Sequence, residues 1–273
     1  MNVVAVQLDI AWHDKRANHE KVRGLLECAK IPKNSLIVLP EMFATGFSME
    51  VQQVTDDLER ATEKFVHKLS EEFQACVIAG IVSSRENGKG ANEALVTFPD
   101  GNALRYQKMH PFTLGGESDN YVAGQTVKQF VWEGFKISPF VCYDLRFPEI
   151  FRMAALGGTE VIAVIANWPC AREEHWLTLL RARAIENQCY VIGVNRSGKD
   201  PKFPYPGRTQ IIGPKGGVIV DAGAGEGVIS APLSHEALVE YRKDLPFLKD
   251  IRPHYLGRAH SGRAAEEPLP VSR

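Results

Sequence analysis

Leu36-Ile37-Val38-Leu39 is apolar at every position and stops at Pro40-Glu41. A strand with one wet face alternates apolar and polar residues, whereas a run with no polar position needs cover on both faces. That demand points to a layered α/β arrangement in which helices and further strands sandwich the run. Other runs agree: Val3–Leu8, Cys76–Ser83, Phe135–Val141, Glu160–Ala166 and Tyr190–Asn195 read as strands. Helical stretches lie between them. One is capped by Asp14 and ends near Lys30; another carries Leu58, Ala61, Phe65, Leu69 and Phe73 on one face. Glu173–Asn187 and a stretch from Ser234 to about Lys243 are helical as well.

The middle of the chain breaks this alternation. Gly88-Lys89-Gly90 turns into Asn92–Phe98, and Asp100-Gly101 turns into Ala103–Lys108, which predicts consecutive hairpins. A polar, proline-rich loop runs from Ser197 to Gly207, before final strands at Thr209–Ile212, Val218–Asp221 and Gly227–Ala231. With no internal repeat and no linker, residues 1–256 read as one domain of mixed strands with helices outside. Residues 257–273 are small and charged, a tail expected to be mobile or to lie on a partner subunit.

Several function classes drop out on bulk properties. A formal net charge of −1 over 273 residues offers nothing to nucleic acid or an anionic membrane surface. No apolar run approaches a membrane span, and Met1–Trp12 carries Asp9 and no basic start, unlike a signal peptide. The five cysteines show neither C-x-x-C nor zinc-type spacing, so they are expected to be reduced thiols in a cytoplasmic protein, with no metal.

Cys142 is the exception among those thiols. The strand Phe135–Val141 ends on it, charged residues follow at once, and Pro148 can open a helix over Phe147–Leu156. A thiol on such a strand–turn–helix elbow is lifted out of the sheet. The N–H groups and positive end of the next helix are expected to favour its thiolate. Glu41 and Lys108 also stand at strand ends, where functional groups collect on α/β scaffolds. A thiol needs a base, which a carboxylate in a dry pocket can supply, and attack on a carbonyl creates an oxyanion. The Lys108 ammonium and the backbone N–H of Tyr143 are suited to hold that charge.

Leu39-Pro40-Glu41-Met42-Phe43, Tyr106-Gln107-Lys108-Met109-His110 and Cys142-Tyr143-Asp144-Leu145-Arg146-Phe147-Pro148-Glu149 resemble the three motifs of the carbon–nitrogen hydrolase (nitrilase) superfamily. They come in the order Glu, Lys, Cys. Ala166-Asn167-Trp168-Pro169, Arg183-Ala184-Ile185-Glu186-Asn187 and Val194-Asn195-Arg196 are similar to its amidase branches. The likeness runs from Val3 to about Leu248. It implies a four-layer α-β-β-α sandwich, a Glu41–Lys108–Cys142 catalytic triad, no cofactor, and a homodimer or higher homo-oligomer. Glu117 occupies the place of a second glutamate that positions substrate or holds Lys108. Pro40–Met49 and Tyr241–Phe247 resemble the omega-amidase branch, which hydrolyses the terminal amide of alpha-ketoglutaramate and alpha-ketosuccinamate. One departure is Gly207-Arg208-Thr209, where relatives often have Gly-x-Ser.

A keto-acid amide also presents a far carboxylate, which a guanidinium holds in two-point fashion. Arg172 and Arg146 are the candidates, with ion pairs to Glu173 and Glu149 as their plainer uses. Phe43, Phe112 and Trp168 can wall a small apolar pocket or simply pack in the core. Two alternatives stay open: another amidase or N-carbamoyl hydrolase of the superfamily, and a non-catalytic binding or regulatory protein on the same fold.

Overall fold

The run at Leu36 is unbroken because neighbouring residues in it belong to different cores. In the computed structural model, which describes residues 1–56 and 59–253, Leu36 and Val38 of strand β2 (Leu36–Val38) face a central core. Ile37 faces an outer one. Two six-stranded sheets enclose the central core. The first has the order β14-β1-β2-β3-β4-β5. Its strands are β1 (Asn2–Gln7), β2, β3 (Cys76–Ser84), β4 (Gly90–Thr97), β5 (Ala103–Gln107) and β14 (Gly227–Pro232). The second has the order β13-β12-β9-β8-β7-β6. Its strands are β6 (Phe130–Trp132), β7 (Phe135–Val141), β8 (Val161–Ala166), β9 (Tyr190–Asn195), β12 (Gln210–Ile212) and β13 (Val218–Asp221).

Each sheet has a parallel centre and antiparallel margins. β1, β2 and β3 are parallel, and so are β7, β8 and β9. The expected hairpins β3–β4–β5 are antiparallel. Helices α1 (Lys15–Cys28) and α3 (Ala61–Phe73) cover the first sheet, setting Val22, Leu26, Val66 and Leu69 against Val4, Val6, Ile37 and Val77. Asp14 caps α1 by accepting from the Ala17 N–H at 2.9 Å. Helices α5 (Pro148–Leu156) and α6 (Glu173–Asn187) cover the second sheet through Ile150, Phe151, Trp176, Leu180 and Ala184. The layers are therefore α-β-β-α, as expected.

Short elements fill what reads as loop. They are α2 (Val51–Val54), α4 (Glu117–Asn120) and a small hairpin of β10 (Ser197–Lys199) and β11 (Pro204–Pro206). Helix α7 (His235–Asp244) follows β14, with Ser234 as its cap. Among the described residues no helix is long and apolar enough to cross a membrane. Leu58 and the tail 257–273 lie outside the described residues.

Candidate active site

The parallel centres of the two sheets end at the same side of the molecule, and the chemistry-bearing side chains stand there. Beyond β2, the Leu39 N–H still donates to Ile78 O, and the Gly80 N–H donates to Pro40 O. This carries Glu41 along β3 into the interior. A Cβ on Gly80 would overlap the Glu41 Cα, the Met42 nitrogen and the Pro40 carbonyl, so only glycine allows the approach. The chain then kinks at Met42, whose φ is +43°. The buried Glu41 carboxylate accepts at Oε1 from Lys108 Nζ (3.0 Å) and Asn92 Nδ2 (2.7 Å). At Oε2 it accepts from the Asn167 backbone N–H (2.8 Å).

Lys108 follows the last residue of β5 and is 1% exposed. Its ammonium also donates to Glu117 Oε2 at 2.8 Å and lies 5.3 Å from the centroid of the Phe47 ring. Burial alone pulls an ammonium toward its neutral form, but Glu117 and Glu41 outweigh it, and the proton is held more firmly than on an ordinary lysine. Glu117 begins α4 after Gly116, whose φ is +79°, and accepts from the Phe112 N–H at 2.6 Å. It is fully buried.

Cys142 sits on the elbow in left-handed backbone, φ +47°, a conformation that persists only where surroundings enforce it. Asp144 does much of that enforcing. Its buried carboxylate accepts from the Val141 N–H (3.1 Å), Tyr106 Oη (2.8 Å) and the His110 N–H (2.9 Å). The nucleophile turn is thus tied to both sides of Lys108.

The thiolate expectation needs correcting. A 3-10 turn, Cys142–Arg146, separates the thiol from the start of α5 at Pro148. Burial pushes the thiol well above its ordinary range, and Glu41 pushes it the same way; Lys108 opposes them incompletely. Both effects favour the protonated thiol, whose Sγ lies 4.0 Å from the Asn167 carbonyl oxygen. It needs a base.

Around the thiol the candidate binding residues divide. Arg146 lies over Trp168 (4.7 Å from guanidinium carbon to ring centroid) and Tyr143 (5.8 Å), and Arg172 lies over Phe112 (5.5 Å). Burial, and then the like charge of Arg172, lower the hold of Arg146 on its proton. Among the described residues neither guanidinium is in an ion pair, and Glu173 turns instead toward Arg208 at 3.7 Å. Trp168 donates its ring N–H to Arg172 O at 2.7 Å, and Phe112 packs 4.9 Å from Tyr143. Phe43 goes elsewhere. It is buried in the outer core beside His19 (5.8 Å) and Phe65 (6.2 Å), so packing is its use. The methylated hydroxyl of the departure noted above does local work: Thr209 Oγ1 donates to Asn195 O at 3.1 Å.

Asn92, Phe47 and Asp144 had not been singled out as site residues. Asp144 was visible only as part of a motif, and Asn92 only as the first residue of a strand. Among the described residues no group of three or more His, Cys, Asp and Glu side chains could hold a metal ion.

Residues 2–243 match the family model described as carbon-nitrogen hydrolase. The chain is 38% identical over 252 residues to an omega-amidase, YafV, of Yersinia enterocolitica, covering 92% of this chain and 96% of that one. It is 32% identical over 253 residues to a 2-oxoglutaramate amidase of Bacillus subtilis, covering 92% and 97%. A CN-hydrolase superfamily protein of Xanthomonas campestris, solved with an arsenic adduct in its active site, superposes with a TM-score of 0.86 at 33% identity, covering 92% and 97%.

Proposed function

This chain belongs to the carbon–nitrogen hydrolase family, and from that premise we propose that it is an omega-amidase using Cys142 as nucleophile. The substrate is a small keto acid with a terminal amide, of the alpha-ketoglutaramate or alpha-ketosuccinamate kind. The products are the dicarboxylate and ammonia. One observation carries the choice: beside a half-buried thiol and its Glu–Lys–Glu network stands Arg146, with Arg172 near it, and among the described residues neither guanidinium has a carboxylate partner. The names of the Yersinia and Bacillus relatives support the same substrate class.

In the reaction Glu41 takes the proton of the Cys142 thiol, and the thiolate attacks the amide carbon. Lys108 and the Tyr143 N–H receive the charge that forms on oxygen. Glu41 returns its proton to the nitrogen as the carbon–nitrogen bond breaks, and ammonia leaves. A water deprotonated by Glu41 then opens the thioester, giving the carboxylate and restoring the thiol. Glu117 holds Lys108 throughout. Arg146 and Arg172 take the far carboxylate, and Phe112 and Trp168 form the apolar wall.

The free cysteines fit a reducing compartment such as the cytoplasm. Exposed Met153 and Leu156 on α5 and Ile185 on α6 fit a homodimer.

Ammonia and carbon dioxide release, measured in parallel, test the substrate. Alpha-ketoglutaramate, alpha-ketosuccinamate, neutral amides and N-carbamoyl amino acids form the panel. The keto-acid amides should be turned over with the highest kcat/KM and no carbon dioxide. Preference for a carbamoyl compound, or equal turnover of neutral amides, would overturn the assignment.

A further inference from the structure

We propose that Asn92 is a positioning residue for the hydrolysis: its side-chain amide donates one N–H to each of Glu41 and Glu117 and so holds both acids ionised around Lys108. The Nδ2 atom lies 2.7 Å from Glu41 Oε1 and 2.8 Å from Glu117 Oε1. Lys108 Nζ bridges the same two glutamates. The four side chains close a ring with Glu41 and Glu117 at opposite corners. Glu41 and Glu117 are 0% exposed, and Asn92 and Lys108 1%.

Charge explains why a second donor is needed there. Two carboxylates face one ammonium, so the dry ring carries one uncompensated negative charge, which burial penalises heavily. Hydrogen bonds to a carboxylate favour its charged form, and a neutral donor supplies them without adding a charge. The amide orientation follows from the same chemistry: turned over, Asn92 would aim its oxygen at two carboxylates. As oriented, Oδ1 is buried without a partner among the described residues, a local cost borne so that both N–H groups reach the acids. The other groups facing the acids are the Asn167 and Phe112 N–H donors, the Cys142 thiol and Tyr121. Tyr121 donates its hydroxyl to Ser48 O at 2.6 Å. Asn92 also sets the height of Lys108, whose backbone N–H donates to Asn92 O at 2.9 Å.

This inference rests on Glu41 being the base for Cys142, and the experiment separates the two. The rate of Cys142 alkylation by iodoacetamide is followed from acid to alkaline pH in the full-length wild type, Glu41→Gln, and Asn92→Ala, Asn92→Ser and Asn92→Asp. Far-UV circular dichroism is recorded on each. In the wild type the rate should rise with pH. Loss of that acid limb in Glu41→Gln supports the base, and an unchanged limb would remove the base and the inference together. With the base upheld, Asn92→Ala should move the limb about one to two pH units upward, the size expected for losing a hydrogen bond to a charged group. Asn92→Ser, with one hydroxyl donor, should move it less, and Asn92→Asp, with an added charge, the most. Variants that only scale the rate, with the limb at the wild-type pH, would overturn the proposal. Loss of fold in all three Asn92 variants would do the same, because it would make Asn92 a residue of the core.

Discussion

Asn167 grips Glu41 at both ends: its backbone N–H donates to Oε2 at 2.8 Å, and its side-chain amide donates to the Glu41 carbonyl oxygen at 2.6 Å. Glu41 follows β2 of one sheet and Asn167 follows β8 of the other, so the base is fastened across the sandwich. Asn167→Ala removes the side-chain anchor and keeps the N–H. Leaving a buried carbonyl unpaired should cost about 1–3 kcal/mol of stability. Loosening the base should lower kcat by roughly 10–100-fold. Urea unfolding together with ammonia release on alpha-ketoglutaramate checks both numbers.

Arg146 lies near the thiol and Arg172 near Arg146, neither with a carboxylate partner among the described residues, which suits them to an anionic substrate. Replacing either with leucine should raise KM for alpha-ketoglutaramate by roughly 10–100-fold, the worth of a hydrogen bond to a charged group. Turnover of a neutral amide should change little. Lysine should restore only part of the affinity, because it lacks the planar fork. Steady-state kinetics on both substrates decides the matter.

Gly80 lets β3 run directly beneath the Glu41 backbone. In Gly80→Ala the new methyl meets backbone atoms, which cannot rotate away. The expected loss is about 1–3 kcal/mol in stability, with a larger fractional loss of activity because Glu41 itself is displaced. Gly217, where a Cβ meets nothing within 4 Å, is the control. Denaturant midpoints of Gly80→Ala and Gly217→Ala should differ accordingly.

Buried thiols and phenols set the alkaline limit. Burial, only partly offset by Arg242, pushes the Cys189 thiol up to about 12. Burial also raises Cys76 and Tyr106. Their protonated forms are the ones the fold accepts. Below the unfolded-state value of about 8.5 for a thiol, both states are protonated and stability is flat. Above it the unfolded chain loses protons that the native state keeps, so stability falls, by up to about 1.4 kcal/mol per pH unit per group. Cys189→Ala should flatten the part of that decline lying between about 8.5 and 12. Urea unfolding between pH 7 and 11 measures it.

The layers were legible because burial on two faces writes itself as runs such as Leu36–Leu39 and Val161–Ala166, and the helix Glu173–Asn187 was legible to the residue. That Glu41, Lys108 and Cys142 would gather at one place was legible in part because each stands at the end of a strand, and in part from the family motifs that carry them. The hairpin β10–β11 was not, since its strands span only Ser197–Lys199 and Pro204–Pro206 and show no alternation. It is tied down by a partner distant in sequence, Leu8, whose carbonyl oxygen accepts from the Ser197 N–H at 2.9 Å. The thiol's protonation was misjudged because a motif shows the turn but not how deeply neighbouring acids are buried. Asn92 could have been found. The register of β4 on β5 pairs Thr97 with Ala103 and Glu93 with Gln107, and one further step brings Asn92 beside Lys108. Counting back from the Asp100-Gly101 turn gives that step.

Acyl transfer to Cys142 is the event on which the mechanism turns. Acid-quenched enzyme, sampled during turnover of alpha-ketoglutaramate and digested for mass spectrometry, reports on it directly. The peptide containing Cys142 should carry the substrate mass less ammonia, and Cys142→Ala should show neither the adduct nor ammonia release. Sustained ammonia release by Cys142→Ala, or an acyl group found on another residue, would contradict the mechanism.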